Sequence, residues 1–410
     1  MCNTSSQKLT VRTKLMLAVT LTLYVTACMI SSASESVYVV NSYGLHSPSP
    51  HWSTIDKLNG SDLAIENTVT VGYDSHNVAA TPDGSLLWVT ARGSNNISIV
   101  DADNLQILKI IKEPSIVTPL GIAFTPDGSR AYVALESISK VAIFDAKTYS
   151  YSSSITVEGK PSFIVITPNG QKVYVVDYLS AKVIILRTSD NSAVSTLNFR
   201  GHKLQDAVVS PDGDNVYVCN QDLNQIEVIR TQDDAVTIPI PMTEIYPRSI
   251  GISPDGAYLY VGLNSGVEGV VKMLKLSDYS IVSSQKIHGT PRTIAIRPDG
   301  SRIFVSDYDN DKCYAFDVDG ENLSSAAVVN LDKTKGFRAA PIGLAVVESQ
   351  HEMPRIAGNT VTMMNNSSAT SAESLPVSSS AKDNKSIPGF GAFSVAFAFI
   401  LLFRLLKFRS

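Results

Sequence analysis

A short turn sequence occurs six times in this chain of 410 residues. It reads Thr, Ser or Arg, then Pro, then Asp or Asn, then Gly. Proline presets φ for the second position of a tight turn, and Gly accepts the positive φ that returns the chain to an antiparallel partner. The six prolines are 42 to 44 residues apart, at Pro82, Pro126, Pro168, Pro211, Pro254 and Pro298. A fixed period of this length predicts a repeat architecture and overrides a domain count based on length.

Strand-like segments flank each turn. An aromatic residue followed by Val stands six residues after every one of these prolines: Trp88, Tyr132, Tyr174, Tyr217, Tyr260 and Phe304. Before the turn comes an apolar segment with a small or modest middle residue, as in Ile250-Gly251-Ile252. Two further apolar strands complete each period, with no helical periodicity between them. The fourth strand is predicted around Leu105–Ile110 in the first copy and around Ala235–Ile238 in the fourth. Four short antiparallel strands per repeat predict a β-propeller blade.

The two ends of the array complement each other. Val37–Asn41 copies the second strand of a repeat, although no turn precedes it, and Pro341–Val346 copies a first strand, although no second strand follows. We therefore predict an all-β, seven-bladed β-propeller, closed by N-terminal strands two to four pairing with a C-terminal strand one. Closure would remove the exposed sheet edges of an open array. An open solenoid is the alternative, but it would need capping repeats.

The repeats resemble the YVTN family of seven-bladed propellers found in archaeal and bacterial surface proteins. The resemblance covers roughly residues 36 to 348, and Tyr217-Val218-Cys219-Asn220 is its closest copy of the family motif. It implies a secreted, surface-located propeller and says little about chemistry. We assign the propeller to residues 34–350.

The N-terminal residues 1–33 are predicted to be a secretory signal peptide. Basic residues precede an apolar run from Leu15 to Ile30, and Ser31-Ser32-Ala33 supplies the small residues of a cleavage site. A lipoprotein box ending at Cys28 is the rival interpretation, but the apolar run continues past that cysteine.

Beyond the repeats, residues 351–387 are predicted to be a flexible linker rich in Ser, Thr and Asn. Residues 388–410 open with Pro388-Gly389-Phe390 and continue with an apolar run and basic residues. This tail resembles the PGF-CTERM sorting signal of archaeal surface proteins, which implies cleavage and replacement by a lipid. A plain C-terminal membrane anchor is the alternative, although an apolar run of about 14 residues spans only about 21 Å as a helix. Either route predicts a secreted protein retained at the cell surface.

Sequons for N-glycosylation fit a secreted chain. The candidates are Asn59, Asn96, Asn322, Asn365, Asn366 and Asn384.

Polar residues precede several of the predicted innermost strands. In a propeller, the loops that enter these strands share one face, so the side chains should converge on the channel mouth. They are His76, Asn77, Gln205, Asp206, Arg248 and Arg292. Two arginines from adjacent blades could hold a carboxylate or sulfate, because guanidinium presents a fixed fork of donors. The competing interpretation is that they satisfy loop carbonyls or pair with Asp206.

Two other candidates are weaker. Trp52 follows a proline-stiffened loop and could contact carbohydrate or protein, or could simply cover the closing blade. Asp307–Asp311 places oxygen ligands at alternating positions, but Lys312 and Val318 stand where a calcium loop needs Gly and an acidic residue. We therefore predict no metal site and no cofactor, and the histidines show no metal-ligand spacing.

Two functional hypotheses follow. The net charge of −4 gives no reason to expect nucleic-acid binding. The first hypothesis is a non-enzymatic surface-layer or envelope protein, of the archaeal type and glycosylated, which presents a loop-rich face to a protein or carbohydrate for binding or adhesion. The second is an extracytoplasmic lactonase or lyase with its site at the channel mouth, because some seven-bladed propellers are enzymes.

Overall fold

The computed structural model describes residues 35–42, 52–244, 246–266, 268–331 and 339–348. All of them belong to a unit that spans residues 1–352. The predicted signal peptide, linker and tail lie outside the described residues, as do Asn365, Asn366, Asn384 and Pro388-Gly389-Phe390. No helix in the described part of the chain is long and apolar enough to cross a membrane.

Seven antiparallel sheets form the structure, six of four strands and one of five. The closing blade contains β1 (Glu35–Asn41), β2 (Trp52–Asn59) and β3 (Ile65–Tyr73). Blade 1 contains β4 (Ser75–Ala80), β5 (Leu86–Ala91), β6 (Asn96–Asp101) and β7 (Ile107–Ile111). Blade 2 contains β8 (Pro119–Phe124), β9 (Arg130–Leu135), β10 (Lys140–Asp145) and β11 (Ser150–Thr156), with a short 3-10 helix at Glu136–Ile138. Blade 3 contains β12 (Pro161–Ile166), β13 (Lys172–Asp177), β14 (Lys182–Arg187) and β15 (Ser192–Asn198).

The remaining blades repeat this order. Blade 4 contains β16 (Leu204–Val209), β17 (Asn215–Asn220), β18 (Gln225–Arg230), β19 (Ala235–Val236) and β20 (Ile240–Pro241). Blade 5 contains β21 (Pro247–Ile252), β22 (Tyr258–Asn264), β23 (Gly269–Lys275) and β24 (Ile281–Ile287). Blade 6 contains β25 (Pro291–Ile296), β26 (Arg302–Asp307), β27 (Lys312–Asp319) and β28 (Asn322–Asn330), and β29 (Pro341–Glu348) completes the closing blade.

The seven-bladed ring closes as predicted. β29 pairs antiparallel with β1, with Val37 opposite Val346 and Val39 opposite Leu344, and the closing sheet runs β29-β1-β2-β3. The first strand of each blade contacts the first strands of both neighbours all the way round the ring. The innermost strands therefore surround one central channel.

Large and small residues alternate where first strands from adjacent blades meet. A Cβ placed on Gly251 would come within 2.8 Å of Ile296 and 3.1 Å of Ile294 in the next blade. A Cβ on Gly343 would lie 3.2 Å from the backbone nitrogen of Val78. The small middle position of the first strand therefore allows the close approach that wedge-shaped sheets need at the axis.

The repeated aromatic residue joins each blade to the next one. Tyr132 Oη donates to Asn191 Oδ1 at 2.8 Å, and Tyr174 Oη donates to Asp234 Oδ1 at 2.6 Å. Asn191 and Asp234 both have φ of 56° and occupy equivalent turns between the third and fourth strands. Trp88 packs edge to face against Tyr149 at the same position of blade 2, with ring centroids 6.1 Å apart. Tyr260 and Phe304 likewise pack against residues of the following blade, so this packing explains why an aromatic recurs in every repeat.

The fourth strands depart from the sequence prediction in two blades. In blade 1 the strand begins at Ile107 instead of Leu105, which has φ of 60° in the preceding turn. In blade 4 the strand predicted over 235–238 is interrupted between β19 and β20, and Ile238 is 85 % exposed. Pro239 and Pro241 lack the N–H group that a continuous ladder requires.

The sequons in the propeller differ in accessibility. Asn322 is exposed at the start of β28, and Asn59 is half-buried at the end of β2. Asn96 is only 8 % exposed, and a Cβ placed on Gly72 would lie 2.9 Å from its Oδ1. Burial of Asn96 argues against its use as a glycan acceptor, which the sequon alone could not reveal.

Two tyrosines provide a matched test of the contacts between blades. We expect Tyr174→Phe to lower the free energy of unfolding by about 1–2 kcal/mol, because it removes a hydrogen bond to the carboxylate of Asp234. Tyr260→Phe should be neutral or stabilising, because the buried Tyr260 Oη has no hydrogen-bond partner within the described part of the chain. Denaturant unfolding of both variants measures the difference. Equal losses would contradict this account of the repeated aromatic.

Candidate functional site

A cavity of about 530 Å³ lies at one end of the central channel. All seven innermost strands contribute to it near their first residues, so it lies on the axis of the ring. These residues are His76, Leu120, Phe163, Gln205, Arg248, Arg292 and Ile342. Four of the six residues predicted at the channel mouth, His76, Gln205, Arg248 and Arg292, therefore line one cavity.

The cavity lining holds the guanidinium groups of Arg248 and Arg292, together with the carboxylates of Glu136 and Asp309. Arg292 Nη1 donates to Gln205 Oε1 at 2.8 Å. Buried Arg248 Nε has no hydrogen-bond partner among the described residues. Burial lowers the pKa of Arg292, and the positive charge of Arg248 lowers it further. No described carboxylate forms an ion pair with either arginine.

The competing interpretation was that an arginine pairs with Asp206. The structure shows no ion pair between Asp206 and either Arg248 or Arg292. Asp206 Oδ1 accepts a hydrogen bond from its neighbour Ala207 N at 2.9 Å, and Oδ2 accepts one from Ile250 N of the next blade at 3.2 Å. Burial raises the pKa of Asp206 to about 6, against the opposing effects of these two N–H groups and of Arg292. The carboxyl group thus links blades 4 and 5 beside the arginines without neutralising them.

Gln205 is held in one orientation. Its Nε2 donates to Oε1 of buried Gln221 at 2.9 Å, which leaves Gln205 Oε1 to accept from Arg292. A side-chain amide has one acceptor and two donors, so the contact with Gln221 fixes which end faces the arginine. Gln221 follows β17 in the loop between the second and third strands of blade 4, a contribution that the sequence analysis missed.

His76 brings an uncharged imidazole to the cavity. Its buried Nδ1 has no hydrogen-bond partner in the described ranges, and its ring meets the edge of Phe163 with centroids 6.3 Å apart. Burial lowers the pKa of His76 well below its usual range, and the charges of Arg292 and Arg92 act in the same direction. His76 is therefore neutral at physiological pH and can accept a proton or a hydrogen bond.

Loops at the ends of second strands supply a further part of the wall. The residues that line the cavity from this position are Arg92, Glu136, Tyr178, Asn264 and Tyr308, in blades 1, 2, 3, 5 and 6. Arg92 Nε forms an ion pair with Asp74 Oδ2 at 2.7 Å, so its charge is compensated. Reading only the loops that enter first strands left these residues out, although their common place in the repeat could have identified them.

Besides Asp206, two predicted residues lie apart from the cavity lining. Asn77 Oδ1 accepts a hydrogen bond from Val78 N at 2.8 Å, and Asn77 packs against Gly343. Trp52 begins β2 opposite Tyr73 and is 61 % exposed, so it is not a buried structural residue. Its contribution to ligand binding stays a prediction.

The acidic segment after β26 stabilises its own loop. Asp307 Oδ1 accepts from the backbone nitrogens of Asp309 and Asn310 at 3.1 and 3.3 Å, and Asp311 Oδ1 accepts from Ala340 N at 2.8 Å. These are turn and loop contacts. No group of three or more potential metal ligands occurs among the residues that the structure describes.

Solved structures with related architecture come from functionally different proteins. An uncharacterised protein from Desulfotomaculum acetoxidans aligns with a TM-score of 0.61 at 18 % identity, covering 76 % of this chain and 99 % of its own. Hydrazine synthase from Kuenenia stuttgartiensis aligns with a TM-score of 0.54 at 19 % identity, covering 59 % of this chain and 76 % of its own. The RRP9 WD40 repeats align with a TM-score of 0.55 at 12 % identity, covering 63 % and 81 %. At these identities the likeness shows the propeller fold alone.

No curated protein matches the sequence. The family model that does match is described as lactonase, 7-bladed β-propeller, and it aligns with residues 66–234 and 161–270. Together these segments run from residue 66 to residue 270, which is half of the 410 residues. The resemblance to YVTN repeats and to the PGF-CTERM tail stays a prediction. The chain belongs to the lactonase family of seven-bladed β-propellers.

Proposed function

We propose that the channel mouth binds a small organic anion, a carboxylate on a polyhydroxylated compound such as a sugar acid. The observation that carries this proposal is the pair of guanidinium groups, Arg248 and Arg292, which share a cavity of about 530 Å³ and form no ion pair with a described carboxylate. A carboxylate of the ligand would offset both charges and accept their hydrogen bonds.

The remaining lining suits the rest of such a ligand. Phe163 and Tyr178 supply aromatic walls. The amide and hydroxyl groups of Gln205, Asn264 and Thr290 bond to protein partners and so form a fixed polar surface in the lining. This mixture of fixed charge, neutral polar groups and rings is typical of sites for small polar molecules.

The second candidate function is hydrolysis of a lactone, and His76 is the observation that favours it, together with membership in a family described as lactonase. The neutral imidazole could accept a proton from water as the water attacks the ring carbonyl carbon. The arginines would stabilise the oxyanion that forms. When the ring C–O bond breaks, the imidazolium would return the proton to the leaving oxygen, which gives a hydroxy acid and restores neutral His76. The product carboxylate would then occupy the anion position of the first proposal.

For the cellular setting we propose export and retention at the outer surface, with the mouth available to ligands outside the cell. The support is the pattern of residues 1–33 and 388–410, which the structure does not describe. Protease digestion of intact cells should degrade the protein, while a cytoplasmic marker survives. Protection of the protein until the cells are lysed would contradict this placement.

Arg248 is the most direct test of the anion site. We expect Arg248→Ala to weaken binding of D-glucuronate by about 10- to 100-fold, because a charged hydrogen bond contributes about 1.5–3 kcal/mol. Isothermal titration measures the affinity, and glucose serves as the uncharged ligand. The matched control is Arg187→Ala, since Arg187 is exposed on β14 and paired with Asp190. Equal glucuronate affinity in wild type and Arg248→Ala would overturn the proposal.

Binding should also depend on pH through Asp206. Its pKa of about 6 means that the carboxyl group is neutral below that pH and negative above it. Anion affinity should therefore fall about 3- to 10-fold as the pH rises from 5 to 7. In Asp206→Asn this decrease should disappear. A decrease of the same size in the variant would exclude Asp206 as its origin.

Lactone hydrolysis separates the two candidate functions. A pH-stat assay with a panel of sugar lactones should record turnover that His76→Gln lowers by at least 100-fold while glucuronate binding is retained, if the enzyme hypothesis is correct. Glucuronate binding without turnover of any lactone in the panel supports the binding function alone. Turnover that is unchanged in His76→Gln contradicts the proposed proton acceptor.

A further inference from the structure

Three contacts between neighbouring blades use a cationic side chain at the same place in the repeat. The donor stands four residues after the turn proline, and the acceptor is the backbone carbonyl just after the third strand of the next blade. The donor and acceptor pairs are Arg130 Nη1 to Thr188 O at 2.8 Å, Lys172 Nζ to Thr231 O at 2.7 Å and Arg302 Nη1 to Gly60 O at 2.8 Å. A long stem with a charged end thus bridges blades 2 and 3, blades 3 and 4, and blade 6 and the closing blade.

The junction of blades 4 and 5 lacks this bridge. Asn215 occupies the donor position, and its side chain is several bonds shorter than that of Lys or Arg. The equivalent carbonyl belongs to Leu276, whose N–H bonds to Ala257 O in the same way as its counterparts. No described side chain donates to Leu276 O. A cavity of about 370 Å³ lies here, lined by both residues.

The lining of this cavity suits a positive charge on an apolar stem. The carboxylate of Asp212 borders it, and the Ser210 hydroxyl lowers the pKa of that carboxyl group, so it is ionised at neutral pH. Tyr217 and Tyr258 supply aromatic faces, which attract cations through the ring quadrupole. The side chain of Leu276 adds apolar surface.

Lys275 also borders the cavity and could oppose a cation there. Its Nζ, however, forms an ion pair with Glu321 Oε1 of blade 6 at 2.7 Å. The charge of Lys275 is therefore compensated by a residue that belongs to the next junction, and Asp212 contributes the uncompensated charge at the cavity.

We propose that the cavity between blades 4 and 5 binds a small organic cation, an alkylguanidinium or alkylammonium group, in the place that Arg130, Lys172 and Arg302 fill at three other junctions. The charged end would donate to Leu276 O and face Asp212. The alkyl stem would lie along Tyr258 and Leu276. This site is separate from the channel mouth, so it stands independently of the anion site.

The probe is n-butylguanidinium at millimolar concentration, and the readouts are isothermal titration and the thermal unfolding midpoint of the full chain. Wild type should bind in a saturable manner and unfold at a higher temperature with the probe. The neutral isostere n-butylurea should have no effect. Absence of saturable binding, or equal binding of n-butylurea, would overturn the proposal.

Asn215→Arg fills the cavity by restoring the side chain of the other junctions. This variant should have a raised unfolding midpoint and should bind n-butylguanidinium at least tenfold more weakly. Unchanged affinity in Asn215→Arg would place the probe elsewhere and contradict the assignment.

Two further variants test the proposal even if Asn215→Arg does not fold. Asp212→Asn should weaken probe binding about 3- to 10-fold and leave the fold intact, because blade 3 has Asn169 at this position with the same hydroxyl and N–H contacts. Lys172→Ala should lower the unfolding midpoint, and n-butylammonium should restore part of the loss. No effect of Asp212→Asn on affinity, or no rescue of Lys172→Ala, would count against the shared chemistry of the junctions.

Discussion

Pairing of β1 with β29 is the interaction on which the channel mouth depends. These strands come from opposite ends of the propeller sequence, yet they pair from Glu35 opposite Glu348 to Val40 opposite Gly343 and, after a shift in register, at Asn41 opposite Pro341. Because of this pairing, the closing blade fills the gap between blade 6 and blade 1 with a complete sheet. Because every blade is then held at a fixed angle about one axis, side chains from blades 1, 4, 5 and 6 meet in a single cavity.

Contacts between neighbouring blades reinforce this closure. Arg297 of blade 6 forms an ion pair with Glu35 of β1, and Arg302 donates to Gly60 O and to Ser61 O at 2.6 Å. On the other side, Tyr38 Oη donates to Ala102 O of blade 1. The closing blade therefore uses the same kinds of contact as the complete repeats.

The fold could be predicted from the sequence because the same turn and strand signals occur in every repeat. Six copies of one turn and one aromatic define a blade even where a single copy departs from the pattern, and the matching end fragments define the ring. The interrupted fourth strand of blade 4 was harder to predict, because Pro239 and Pro241 affect this one strand and are not part of the repeated pattern. The burial of Asn96 also could not be predicted from a three-residue sequon, because it depends on the packing of Gly72 from the neighbouring sheet.

The site was predictable only in part. The topology rule that places loops on one face was enough to bring His76, Gln205, Arg248 and Arg292 together, because each begins an innermost strand. That rule could not reveal that Gln221 orients Gln205, or that Asp206 bonds to the backbone of Ile250 instead of pairing with an arginine. Such choices depend on side-chain geometry, which repeats do not encode, and so the repeats identify the architecture without identifying the ligand.

Disulfide formation across the closing ladder tests ring closure most directly. With Val37→Cys and Val346→Cys, which lie opposite each other on β1 and β29, mild oxidation should form an intramolecular bond in nearly every molecule. The bond should raise the unfolding midpoint and leave glucuronate binding unchanged, because the geometry already exists. Failure of the cysteines to join in the folded protein, or formation of the bond only between molecules, would contradict a ring closed by its own ends.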